Sequence, residues 1–214
     1  MGPRRTLALA AAGLASGLLA APAVGGSGPV LNTSGLCYDG HETVRFAAGG
    51  FKPRARWRAH VGARLVDSGR VSSQGGLDGS FTAPSPRRRP GVVHFTLSVT
   101  DGKRTARRRL GATRFGADYR PSVKRPRTRV RFLVAGFPPR ADVFLHYVTP
   151  RRRLRRTVLL GRSQGACGTL VTRLRPVFPF APTRGRWRLQ FDTHRRYRAG
   201  ATPRARLVLT LGGR

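Results

Sequence analysis

Between Arg54 and Val61 the chain alternates strictly, with Ala55, Trp57, Ala59 and Val61 on one side and Arg54, Arg56, Arg58 and His60 on the other. A period of two is the spacing of a strand with one buried face and one wet face. The same alternation returns in Val93, Phe95, Leu97 and Val99, in Trp187, Leu189 and Phe191, and in Ala205, Leu207, Leu209 and Leu211. Gly and Pro punctuate these runs at Gly49-Gly50, Gly75-Gly76, Pro84 to Pro90, Asp101-Gly102 and Pro138-Pro139, and beyond the N-terminal region no window reads as an amphipathic helix. Many short strands between turn residues predict an all-β chain of immunoglobulin-like antiparallel β-sandwiches. Asp101-Gly102 predicts a tight hairpin.

An internal repeat sets the number of sandwiches at two. Val44-Arg45-Phe46, Gly50-Phe51, Pro53-Arg54-Ala55 and His60 return at an offset of 86 as Val130-Arg131-Phe132, Gly136-Phe137, Pro139-Arg140-Ala141 and His146. Further on the register drifts: Asp78-Gly79-Ser80-Phe81 answers to Cys167-Gly168-Thr169-Leu170, and Gly91 to Phe95 answers to Gly185 to Leu189. Drift between conserved segments means loop insertions. The expected organisation is a first unit over residues 28–112, a stiff linker over 113–127 containing Pro121 and Pro126, and a second unit over 128–214.

Gly50-Phe51-Lys52-Pro53-Arg54-Ala55, Leu77-Asp78-Gly79-Ser80-Phe81-Thr82-Ala83-Pro84 and the run from Gly91 to Asp101-Gly102 resemble the bacterial Ig-like repeats of secreted and cell-surface proteins. Arg54 stands where those repeats usually have Gly. The resemblance spans residues 40 to 112 and implies the fold; such modules serve as spacers, adhesion units and ligand binders alike. The second unit departs further from the pattern, which leaves its strand order open.

Residues 1–23 read as a signal peptide: Arg4 and Arg5, an apolar run from Leu7 to Ala21, and the small-residue motif Ala21-Pro22-Ala23. The run is shorter than the roughly 20 residues of a membrane span, so no transmembrane span is expected in the mature chain. A secreted or cell-wall-associated product follows. In an oxidising compartment Cys37 and Cys167 can form one disulfide, which would staple the first unit to the second; free or intermolecular thiols are the alternative.

Charge is where this chain departs furthest from average composition. It has 42 Lys+Arg, of which only Lys52, Lys103 and Lys124 are lysine, against 8 Asp+Glu, for a formal net charge of +34. GC-rich coding explains arginine over lysine but not the shortage of acids. Such an excess attracts polyanions. The arginines gather in Arg87 to Arg89, Arg107 to Arg109, the run Arg151, Arg152, Arg153, Arg155 and Arg156, and the group Arg195, Arg196 and Arg198. The last two clusters are the candidate polyanion-binding residues, placed on solvated loops, because guanidinium groups pair bidentately with phosphate and carboxylate. Whether they share one face cannot be read from the sequence.

Catalytic chemistry has little support. Gly161-Arg162-Ser163-Gln164-Gly165 matches G-x-S-x-G, but no helix pattern follows the serine, as a nucleophile elbow requires. His41, His60, His94, His146 and His194 lack zinc-ligand spacing, and acids are too sparse for a calcium cage or a carboxylate pair, with Asp142 and Asp192 open individually. Neither a metal nor a cofactor is expected. Phe178, Phe180 and the segment Trp187 to Tyr197 read as core, with a surface platform for sugars as the alternative. The sequence therefore predicts a non-enzymatic cationic protein that binds an anionic cell-envelope polymer or surface ligand, or serves as an adhesion module, with no specific nucleic acid. Carbohydrate or protein binding through the loops of the second unit is the alternative.

Overall fold

The computed structural model describes residues 28–123 and 125–212, so the signal-peptide reading of residues 1–23 lies outside the described residues. The described residues hold no helix, and so none that is long and apolar enough to cross a membrane.

In the first unit β1 (Val30–Thr33), β3 (Thr43–Gly49) and β6 (Leu77–Thr82) form one sheet in the order β1-β3-β6. The opposing sheet contains β2 (Cys37–Asp39), β4 (Arg56–Val61), β5 (Arg64–Arg70), β7 (Gly91–Thr100) and β8 (Thr105–Arg114), ordered β2-β8-β7-β4-β5. All pairings are antiparallel except β2 on β8. The alternating apolar positions meet between the sheets: Val44, Phe46, Trp57, Ala59, Leu97, Val99 and Leu110 are buried. Trp57 sits edge-on to Phe46, with ring centroids 5.9 Å apart at 85°.

The second unit repeats this plan. β9 (Gly116–Arg120), β10 (Arg129–Ala135), β13 (Leu170–Val171) and β14 (Arg175–Pro176) form the first sheet. β11 (Asp142–Val148), β12 (Leu154–Arg162), β15 (Gly185–Asp192) and β16 (Arg204–Leu211) form the second, ordered β12-β11-β15-β16. That order matches β5-β4-β7-β8 of the first unit, so these four strands keep one order in both, while among the described residues β2 has no counterpart beside β16 and β14 is added beside β10. The repeat register is kept as well: β10 is β3 displaced by 86, and β11 begins 86 residues after β4.

The expected linker needs correcting. β8 runs to Arg114 and β9 starts at Gly116, so only Phe115 lies between the strands of the two units, and residues 121–128 are the β9–β10 connection. Pro121 and Pro126 suggested a linker, but Ala117 and Tyr119 keep the period-two pattern and face the second core. Phe115 packs on Phe137 at 5.2 Å between centroids. A second tie is the Cys37–Cys167 disulfide, with Cα atoms 5.2 Å apart across a sequence separation of 130. Gly111 of β8 makes room for it, because a Cβ there would lie 2.5 Å from the Cys167 sulfur.

The turn after each repeated Gly-Phe pair uses the left-handed region, with φ of 61° at both Arg54 and Arg140. This explains why glycine usually stands there, because a side chain in that conformation costs roughly 1–2 kcal/mol. Arg54→Gly should therefore raise stability by about 0.5 kcal/mol in denaturant titration, the relieved strain being partly offset by a more flexible unfolded chain. Gly168→Ala should do the opposite and cost at least about 3 kcal/mol, because at φ 52° its Cβ would overlap the Phe137 carbonyl oxygen.

Candidate functional site

Ser163 is structural. It is 1% exposed, donates from Oγ to the Pro138 carbonyl at 2.5 Å and accepts the Ala141 N–H at 3.0 Å, so its hydroxyl closes a turn and meets no histidine.

The two predicted arginine clusters do not converge. Arg151, Arg152 and Arg153 form the turn between β11 and β12, beside the start of β15, where Gly185 abuts Pro150. Arg195, Arg196 and Arg198 lie on the 193–203 connection at the other end of β15. β15 runs from Gly185 to Asp192, so these ends are roughly 23 Å apart along the strand. Arg155 and Arg156 belong to neither loop: on β12, Arg155 lies 5.8 Å over the Phe180 ring and Arg156 donates to the Pro179 carbonyl.

Arg195, Arg196 and Arg198 are exposed on the 193–203 connection, as the solvated-loop reading expects, while its backbone is fastened over the outer face of its sheet. His146, Gln190 and Asp192 point away from the core and are still buried beneath it. His146 Nε2 faces Asp192 Oδ1 at 3.2 Å and the His194 carbonyl at 3.1 Å, two acceptors, so it donates; Nδ1 meets Thr157 Oγ1 at 2.8 Å. Gln190 Nε2 donates to Asp192 at 2.7 Å and to the Arg198 carbonyl at 2.8 Å, and Arg204 and Arg206 both donate to the Ala199 carbonyl. Tyr197 closes the arrangement, its ring 5.5 Å from that of His146. Trp187 is buried in the core at 2% exposure, so Trp187 and Tyr197 form no open sugar platform.

In the first unit the corresponding face is open. His60, the repeat equivalent of His146, is half-buried, because the β7–β8 hairpin is only a tight turn at Asp101 to Arg104 and covers nothing. Since Trp57, Ala59, Leu97, Val99, Ala106 and Leu110 face the core, alternation puts Arg56 and Arg58 of β4 and Arg107 and Arg109 of β8 on the outer surface. Thr96, Ser98 and Thr100 of β7 lie between these strands, and the register sets Arg107 beside Ser98 and Arg58 between Thr100 and Ser68. Arginines along a strand are about 7 Å apart, and the nearest pair across β7, Arg58 and Arg107, is offset by two residues and so about 12 Å apart. The result is a flat array of guanidinium and hydroxyl groups. In the sequence the alternation is visible for Arg56 and Arg58 but Arg107 to Arg109 reads as a plain arginine run, because only the register shows that β4 and β8 flank the same strand.

No carboxylate stands within this array, since β4, β7 and β8 contain no Asp or Glu. Asp67 turns toward the opposing sheet and accepts the Ser80 N–H at 2.9 Å; Glu42 accepts the Asp39 N–H; Asp118 pairs with Arg89 and Asp142 with Arg162. At the end of the open face, Asp101 accepts the N–H of Lys52 at 3.0 Å, of Arg104 at 2.7 Å and of Lys103 at 2.9 Å. The Lys52 and then the Arg104 backbone bonds hold its carboxyl at about 2, against an ordinary value of 3.8.

A carboxyl held down in the folded state stabilises above its unfolded pKa and loses that contribution as pH falls through its folded value. Asp101 should therefore support the fold fully above about pH 4 and progressively less toward about pH 2. Asp101→Asn should lower stability at pH 6, and the gap to the parent protein should narrow between pH 4 and pH 2 in thermal melts.

No protein-family model matches the chain, and no curated protein does. Among solved structures it is similar to the human OSCAR ligand-binding domain, at 12% identity and a TM-score of 0.33 over 86% of this chain and 97% of that one. It is also similar to the Yersinia pseudotuberculosis adhesin InvE, at 11% identity and a TM-score of 0.35, over 86% of this chain and 59% of that one. A third likeness is to a tetra-tandem repeat in the extending region of a large adhesion protein, at 11% identity and a TM-score of 0.31, over 86% of this chain and 49% of that one. With scores this low, the assignment to tandem Ig-like sandwiches rests on this chain's own strand order.

Proposed function

We propose that this chain is a non-enzymatic binding protein of the cell envelope or its exterior, held to anionic polymers by the open sheet face of its first unit. The observation that carries this reading is the array of Arg56, Arg58, Arg107 and Arg109 around Thr96, Ser98 and Thr100, with no carboxylate on it. Guanidinium forks pair with phosphate or carboxylate oxygens, and the Thr96 and Ser98 hydroxyls between them can donate to the same groups, while the Thr100 hydroxyl is spent on the Arg104 carbonyl. Arginines at the two-residue strand spacing on a rigid sheet suit a polymer whose own charges repeat. The two ties between the units, Phe115 and the disulfide, support a second role as a stiff spacer or adhesion element. The likeness to the bacterial Ig-like repeats fits that setting.

Retention on immobilised inorganic polyphosphate should weaken steeply between about 0.1 and 1 M salt, since exposed charges are screened within a few Å at the upper end. In Arg58→Ser/Arg107→Ser/Arg109→Ser the slope of log affinity against log salt should fall by about 2 to 3. The matching triple Arg151→Ser/Arg152→Ser/Arg153→Ser should change it by less than about 1. Equal losses in the two triples would leave only net charge and would refute the role of the face.

A further inference from the structure

Away from the open face, a groove of a different kind lies where β10 begins and β14 ends. It opens between residues 125–129 and 176–182 with a volume of about 840 Å³, within the range of roughly 300–1,000 Å³ typical of ligand sites. Its floor is the outer end of an aromatic column. Phe178 packs on Trp187 at 5.3 Å and on Tyr147 at 5.7 Å, and Phe180, only half-buried, contacts Tyr147 at 5.3 Å and Trp187 at 5.5 Å. Pro126, Pro176, Pro179 and Pro182 build stiff walls that offer no N–H. Arg125 and Arg127 are exposed on the lining, and Arg155 and Arg156 of β12 reach the same Phe-Pro segment. No Asp or Glu lines it.

We infer that this groove binds an acidic polysaccharide, a chain of pyranose rings bearing carboxylates. The donor set is all cationic, which calls for a ligand that supplies the negative charge itself; a neutral sugar would find no carboxylate here to accept from its hydroxyls. The apolar floor and proline walls need a ligand with CH surface, which a ringless polyphosphate lacks. A nucleobase needs a free aromatic face, and Phe180 has none to give, because Arg155 lies over it while Tyr147 and Trp187 contact it within the column. The C–H groups of a pyranose chain can pack on the proline rings and on the exposed part of Phe180 without an open aromatic face.

The test is calorimetric titration of the intact, disulfide-bonded protein with an oligogalacturonate of about six residues, its methyl ester, inorganic polyphosphate of matched charge and a single-stranded oligonucleotide. The oligogalacturonate should bind at least 10-fold tighter than the ester. Its affinity should fall about 10-fold in Arg125→Ala/Arg127→Ala and several-fold in Phe180→Leu, and change less than 2-fold in Arg58→Ser/Arg107→Ser/Arg109→Ser. Arg125 and Arg127 donate no side-chain hydrogen bond to the fold, so that variant tests the site even where Phe180→Leu loosens the core. Loss confined to the open-face variant would overturn the inference while leaving the proposed function standing. Equal binding of the ester, or displacement by the oligonucleotide or polyphosphate from the groove itself, would overturn it as well.

Discussion

A strand can bury only every second side chain, and the architecture of this protein is a consequence of where the other half goes. Each unit closes its core between two sheets, so every sheet has an outer face left over, among them those of β2-β8-β7-β4-β5 and of β12-β11-β15-β16. These two faces begin from the same sequence register, marked by His60 and His146, and end differently because of one loop length. The hairpin at Asp101 is short and pinned down toward Lys52 by its carboxylate, and the face beside it stays open. The 193–203 connection is long enough to fold back, and His146, Asp192 and Gln190 hold it there.

Viewed this way, the charge of +34 is less uniform than it looks. Arg54, Arg88, Arg140 and Arg152 occupy left-handed backbone positions that favour glycine or asparagine, so these arginines stand there against a local cost. Arg56, Arg58, Arg107 and Arg109 occupy ordinary strand positions and gather on one surface. The acids are few, and most of them accept backbone N–H groups or hold a specific partner, as Asp67, Asp101 and Asp192 do. Carboxylates kept for architecture cannot screen the arginines on the open face.

Much of the fold could be read from the chain because its signals are local. Period-two alternation located β4, β7, β15 and β16, Asp101-Gly102 located a hairpin, and the 86-residue offset aligned β3 with β10 and β4 with β11. What stayed hidden depends on long-range register. β9 is five residues long and followed by Pro121, and only its pairing with β10 distinguishes it from a linker. His146 looks like His60 until the 193–203 connection is laid over it. Composition left open whether Arg151 to Arg156 and Arg195 to Arg198 share a face, and strand direction places the 149–153 turn and the 193–203 connection at opposite ends of β15. The pairing of Cys37 with Cys167 likewise required knowing that β8 passes Gly111 beside the second unit.

The central claim concerns one surface, and amide hydrogen exchange can locate it. With saturating inorganic polyphosphate at about 0.1 M salt, protection should concentrate in peptides covering β4, β7 and β8, with the 149–153 and 193–203 connections little changed. Protection confined to those two connections, or spread evenly over both units, would contradict the account.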